Sequence, residues 1–262
     1  MMTAGAPAGA IIALALQAAT PAAHVDRSAA KWGVEYAPNQ CIINRAFGDG
    51  PKPAILAIDV DPVYGGGDLV LLTATPVYRG KSGVATITLA PTGPSLRASW
   101  IAAPTQQGGY ALRLLLEPEK WQQIRTAKQL SIDAGAIFPV SVPVEGIDKA
   151  FAAAKACGRD LLKSWGADPD AMIDTGGQLN RDWIQVADYP ADAFRSGQQG
   201  IVRILVTVDA TGRPTACKVA RSSGVPSLDA ATCTAMMTRG RFSPSDRKVR
   251  YFYQKTNWIN PN

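Results

Sequence analysis

The sequence predicts an α+β fold: an antiparallel β-rich N-terminal domain (a sandwich or barrel), a closing helix, and a small C-terminal α/β domain. Three observations carry this. Between residues 31 and 144, short runs of aliphatic and β-branched residues alternate with Gly/Pro punctuation, the pattern of antiparallel strands joined by tight turns. From Gly146 to Trp165 the apolar spacing becomes helical. After Gly200 the order strand, turn, strand, helix, strand follows within 60 residues.

The first 25 residues contain no Asp, Glu, Lys or Arg, and Ile11–Leu16 forms a short apolar centre followed by Thr20-Pro21-Ala22-Ala23. This reads as a cleaved secretory signal over 1–23, although its first residues lack the usual Lys or Arg. The alternative is a retained inner-membrane anchor facing the periplasm. Gln17, Thr20 and Pro21 interrupt the apolar stretch, which falls short of the roughly 20 residues a span needs.

The β-rich domain is placed at 28–145. Lys31–Tyr36 and Gln40–Arg45 pair around a Pro38-Asn39 turn, and Ala54–Val60 and Leu69–Thr75 flank the Gly65-Gly66-Gly67 break. Ala85–Leu89, Leu96–Ile101, Tyr110–Leu116, Gln129–Ala134 and Ile137–Val142 continue the strands, with one short helical turn at Pro118–Ile124. The three glycines are followed by no Gly-Lys-Ser/Thr and read as a loop rather than a phosphate cradle. Asp59 and Asp61 imitate a carboxylate pair, but they end at Pro62 and read as turn residues.

Helix 146–166 places Ile147, Phe151, Ala154, Cys157, Leu161, Leu162 and Trp165 on one face, away from Lys149, Lys155, Arg159 and Lys163. Residues 167–183, with Asp168-Pro169-Asp170 and Gly176-Gly177, have linker composition. The last domain is placed at 184–262. Gly200–Val208 puts Val202, Ile204, Val206 and Val208 on one strand face, Asp209–Gly212 turns, and Pro214–Ala220 returns. Ser227 is expected to cap a helix over Leu228–Thr238, with Asp229 in its first turn, and Val249–Ile259 is the last strand.

Tyr189-Pro190, the strand after Gly200, the Asp-x-x-Gly turn, Ser222-Ser223-Gly224, Leu228-Asp229-Ala230-Ala231 and Arg239-x-Arg241-Phe242-x-Pro244 stand in one order. In that order they resemble the C-terminal domain of the TonB family over about residues 185–259. The resemblance implies a three-stranded antiparallel sheet with helices on one face. It also implies recognition of a short periplasmic segment of an outer-membrane receptor, added as a strand at the sheet edge. The edge is then the last strand, with Arg250, Phe252, Gln254 and Thr256 on one face and Tyr251, Tyr253, Lys255 and Asn257 on the other. Gln185 and Tyr189 sit where the family carries its own glutamine and Tyr-Pro motif. The long Pro-rich linker of energy-transducing TonB proteins has no counterpart at 167–183, a departure from the family.

Four cysteines and one histidine, with no Cys-x-x-Cys, argue against zinc and suit an oxidising compartment. Of three pairings, assignment by domain gives Cys41–Cys157 and Cys217–Cys233, the second joining a strand to the helix that packs on it; four free thiols are the alternative. The net charge of +6 arises entirely after residue 183, where eleven Lys/Arg face five Asp/Glu. The basic run from Arg239 to Lys255 reads as a solvated sheet edge rather than a nucleic-acid surface. The single histidine leaves Ser and Cys without a base, so no catalytic residue, cofactor or metal is assigned. Two functions are expected: a periplasmic TonB-family protein connected with TonB-dependent transport across the outer membrane, or a disulfide-stabilised envelope interaction module without energy transfer.

Overall fold

A computed structural model describes residues 31–47, 54–73, 82–91, 93–105, 109–135, 140–175 and 182–260. The expected leader at 1–23 lies outside them. Strands β1 (Gly33–Ala37), β2 (Gln40–Phe47), β3 (Ala54–Val60), β4 (Gly67–Thr73), β5 (Ser82–Ala90), β6 (Ser95–Pro104), β7 (Tyr110–Leu115), β8 (Gln129–Asp133) and β9 (Val140–Pro143) form one sheet. Every pairing in it is antiparallel, in the order β1-β2-β3-β4-β7-β6-β5-β8-β9.

Burial along the strands follows from their sequence. In β6, Leu96, Ala98 and Trp100 are buried while Ser95, Arg97 and Ser99 are exposed, the alternation of a sheet with one wet face. In β4, Asp68, Leu69, Val70 and Leu71 are all buried, so that strand is covered on both faces. Leu69 and Leu71 join Ile58, Ile87, Leu112, Leu114, Leu130 and Ile132 in the main core. Helices α1 (Lys120–Thr126) and α2 (Ile147–Ser164) complete it: Trp121 meets Phe151 edge-on at 5.4 Å, and Cys41–Cys157 ties β2 to α2.

The turn between β3 and β4 is built by the Asp61 carboxylate, which accepts the backbone N–H groups of Val63 and Tyr64 at 2.9 Å each. Two of the following glycines are required by close approach. A Cβ on Gly66 would lie 2.4 Å from Cδ1 of Trp121, and one on Gly67 would lie 2.3 Å from the Asp59 carbonyl oxygen.

The C-terminal part carries β10 (Gly200–Asp209), β11 (Pro214–Arg221) and β12 (Val249–Trp258) in the antiparallel order β11-β10-β12, with α3 (Ala191–Arg195) and α4 (Pro226–Arg239). Val202, Ile204, Val206 and Val208 are fully buried with Leu228 and Met236 of α4 and Phe252 and Trp258 of β12. Cys217–Cys233 fastens β11 to α4. The helix starts earlier than the sequence suggests, so Ser227 is not its cap. Pro226 takes the first helical position, where its fixed φ fits and its missing N–H costs nothing. Asp229 instead organises the preceding loop, accepting from the Ser222 hydroxyl, the Ser223 hydroxyl and the Ser223 N–H.

The opposite face of this sheet lies on the N-terminal domain. Leu205 and Tyr253 belong to the large core, and Trp165 after α2 stacks on the Tyr253 ring at 6.2 Å with the planes 7° apart. Both faces of the three-stranded sheet are therefore covered, and its margins remain.

Candidate partner-binding edge and inter-sheet ion cluster

The register of the two sheets sets like charges side by side. Asp59 of β3 pairs directly with Asp68 of β4. In the C-terminal sheet, Arg203 of β10 stands between Arg221 of β11 and Lys255 of β12. Either row alone would be repulsive. Face to face they neutralise each other. Arg203 Nη2 donates to Oδ2 of both Asp59 and Asp68 at 2.8 Å. Arg221 Nη1 reaches Asp59 Oδ2 at 2.7 Å, and Lys255 Nζ reaches Asp68 Oδ1 at 2.7 Å. Arg113 of β7 reaches the same acids from within the first sheet, at 2.8 and 3.2 Å.

The electrostatics follow from burial and partners. Burial alone would raise the Asp59 carboxyl, but Arg203, Arg221 and Arg113 outweigh it and hold Asp59 well below the usual carboxylate range. Burial is likewise outweighed at Asp68, by Lys255, Arg203 and Arg113. Asp61 moves the other way: its burial exceeds the help of the two turn N–H groups, and its carboxyl is raised. Burial raises the Tyr253 phenol well above its ordinary value and pushes Tyr64 up to about 12.

The outer edge of β12 is engaged within the chain. Ile173 N–H donates to the Tyr251 carbonyl at 2.7 Å, so the carbonyls of Tyr251 and of its alternate neighbours Tyr253 and Lys255 face away from β10. The Tyr64 hydroxyl donates to the Tyr253 carbonyl at 3.4 Å, and the Gln254 side-chain amide donates to that of Lys255 at 2.7 Å. At the other margin, β11 exposes Thr215, Ala216, Lys218 and Val219.

The expected partner-binding residues fall into three environments. Phe252 is buried under α4, and Gln254 is buried beside it; Tyr253 and Lys255 face the N-terminal domain. The alternation read from sequence holds, and both of its faces turn inward rather than to solvent. Arg250 is half-buried, its guanidinium donating to the Ser243 carbonyl at 2.5 Å, and Tyr251 is half-buried against the large core. Gln185 is exposed before a short 3₁₀ turn, Val186–Asp188, its backbone N–H bonded to Asp188 Oδ2 at 2.7 Å. Tyr189 packs edge-on against Phe194 at 5.5 Å and Trp258 at 5.1 Å, and its hydroxyl donates to the Gln198 carbonyl.

The ion cluster escaped sequence reasoning. Its signal was an acid inside each of two apolar strands, Asp59 in Ile55–Val60 and Asp68 before Leu69-Val70-Leu71-Leu72, together with Arg203 within Ile201–Val208. A cleft of about 170 Å³ opens beside the cluster, lined among others by Asp61, Tyr64, Glu117, Lys255, Asn257 and Ile259. Among the described residues no group of three or more His, Cys, Asp or Glu could hold a metal ion, and no helix is long and apolar enough to cross a membrane.

Residues 185–258 match the family model described as Gram-negative bacterial TonB protein C-terminal. No curated protein and no solved structure matches the chain. The matched span opens at the 3₁₀ turn before α3 and ends with β12, so it covers the whole three-stranded sheet with both of its helices. Over residues 185–258 the chain is similar to the C-terminal domain of the TonB family.

Proposed function

We propose that this is a periplasmic TonB-family protein whose C-terminal domain binds an extended partner peptide by strand addition, in connection with TonB-dependent transport across the outer membrane. The observation that carries this reading is the enclosure of the three-stranded sheet. With α4 on one face and the nine-stranded sheet on the other, the backbone margins are what the sheet has to offer a partner. Strand addition draws its affinity from such main-chain groups and its selectivity from alternate side chains. Gln185, Tyr189 and residues 250–255 act here as scaffold and backbone, since Phe252, Tyr253 and Gln254 are buried. Arg241, Arg247 and Lys248, exposed ahead of β12, suit an acidic peptide.

A disulfide-stabilised envelope interaction module without energy transfer is the second reading, favoured by the ion cluster. Arg203, Arg221 and Lys255 bind the C-terminal sheet to the β domain, which makes the two a single body rather than a head on a long tether. The test is calorimetric titration of the full chain with synthetic peptides spanning the N-terminal periplasmic segments of the source organism's TonB-dependent receptors. Binding of one such peptide, weakened by replacing alternate peptide residues with proline, supports transport. Absence of binding across the whole set leaves the module without energy transfer.

A further inference from the structure

We propose that Met172–Thr175 is an in-chain occupant of the β12 edge, and that a partner strand adds there by displacing it. This rests on the strand-addition reading and concerns how that edge is controlled. Met172 forms a parallel bridge with Tyr251, the one β-bridge among the described residues that lies outside the two sheets. The Ile173 N–H supplies its hydrogen bond, at 2.7 Å to the Tyr251 carbonyl. The two adjacent side chains divide between the cores: Met172 packs on the large N-terminal core and Ile173 on the C-terminal one. Thr175 continues the contact. Its hydroxyl lies 3.2 Å from that of Tyr64, which in turn donates to the Tyr253 carbonyl at 3.4 Å. Thr175 is then the donor to Tyr64, because the single Tyr64 hydrogen is used on the carbonyl.

The segment has attributes of a strand ligand: Met172 is extended (φ −68°, ψ 138°), Ile173 hydrogen-bonds an outward carbonyl, and the apolar anchors Met172 and Ile173 point to two surfaces. Its backbone holds β12 through the one hydrogen bond from Ile173, whereas β12 pairs with β10 along its ten residues. The preceding residues are pinned, with Pro169–Ala171 in a 3₁₀ turn and Asp170 at 3.0 Å from Arg159, so release begins at Met172. A segment tethered this closely acts at an effective concentration in the millimolar range. A free peptide must compete with it, and its apparent affinity falls by the fraction of time the edge is covered.

The test compares the full-length protein with Met172→Ser/Ile173→Ser, which removes both anchors, with Ile173→Pro, which removes the donor N–H, and with Ile173→Val as the conservative control. The probe is the set of receptor-segment peptides used above, and cooperative thermal unfolding establishes that each variant is folded. The expected result is binding about tenfold tighter or more in the serine and proline variants and unchanged in Ile173→Val. The Ile173 amide of the wild type, protected in the free protein, should exchange faster once peptide saturates. Equal affinity in all four proteins, with Ile173 protection unchanged in the complex, overturns the occlusion and leaves strand addition standing. No binding to any of them overturns strand addition, and the occlusion with it.

Discussion

Asp59 and Arg203, 144 residues apart in sequence, meet at 2.8 Å with their side chains only 6% and 7% exposed. This contact joins a β strand of the N-terminal domain to the central strand of the TonB-like sheet. Asp68 shares the same guanidinium nitrogen, and Arg221 and Lys255 bind the acids from either side. The C-terminal sheet presents three cations in a row, a surface that would repel itself if left open. Its face is therefore made for the acid pair on β3 and β4.

Neutralising one acid should leave buried cations without a counterion. Asp59→Asn is expected to cost roughly 3–5 kcal/mol in urea unfolding, because three arginines converge on that carboxylate. Replacing an exposed acid such as Asp160 should change stability by less than about 1 kcal/mol.

The cluster also sets the direction of acid sensitivity. Asp59 and Asp68 have depressed carboxyls in the fold, so their contribution is fully present above the unfolded value of about 3.9. It is lost progressively as pH falls below that value toward their folded ones. A melting series from pH 7 to 2.5 should be flat with respect to these groups down to about pH 4–5 and then fall steeply. Asp59→Asn should make the fall shallower.

Asp61 carries the opposite expectation although it lies two residues from Asp59. Its carboxyl is raised by burial, so its ionised form opposes folding at neutral pH. Asp61→Asn retains a side-chain oxygen for the Val63 and Tyr64 N–H groups. Chemical denaturation at pH 7 should find this variant as stable as the wild type or slightly more so.

Much of this architecture was readable beforehand because local rules acted without competition. Ala54–Val60 became β3 with those bounds, the Val202-Ile204-Val206-Val208 face became the C-terminal core, and both cysteine pairings followed from domain position. The docking of one sheet on the other was not readable, since it depends on which residues of separate strands share a row. The run Leu69-Val70-Leu71-Leu72 carried a trace of it, as a strand apolar on both faces needs cover on both. Alternation in β12 could assign Tyr253 and Lys255 to one side, but no periodicity says whether that side meets solvent or protein. Ser227 was misplaced as a cap because proline and serine compete for the same helix start, and proline's fixed φ decided it.

The two disulfides close loops of very different length, 16 and 116 residues apart in sequence. In the chain-entropy account, Cys217→Ala/Cys233→Ala should cost about 3 kcal/mol and Cys41→Ala/Cys157→Ala about 4.7 kcal/mol. Unfolding of the two double variants in denaturant, compared with the wild type, checks the order.

In the proposed strand addition, the C-terminal sheet takes a partner strand on its β12 margin. The most direct measurement is residue-resolved amide exchange of the full chain, free and saturated with the tightest receptor-segment peptide. The outward-facing amides of Tyr251, Tyr253 and Lys255 are predicted to slow together by at least tenfold while those of β11 stay unchanged. Saturation with no change along β12, or with new protection confined to Thr215–Val219 of β11, would contradict it.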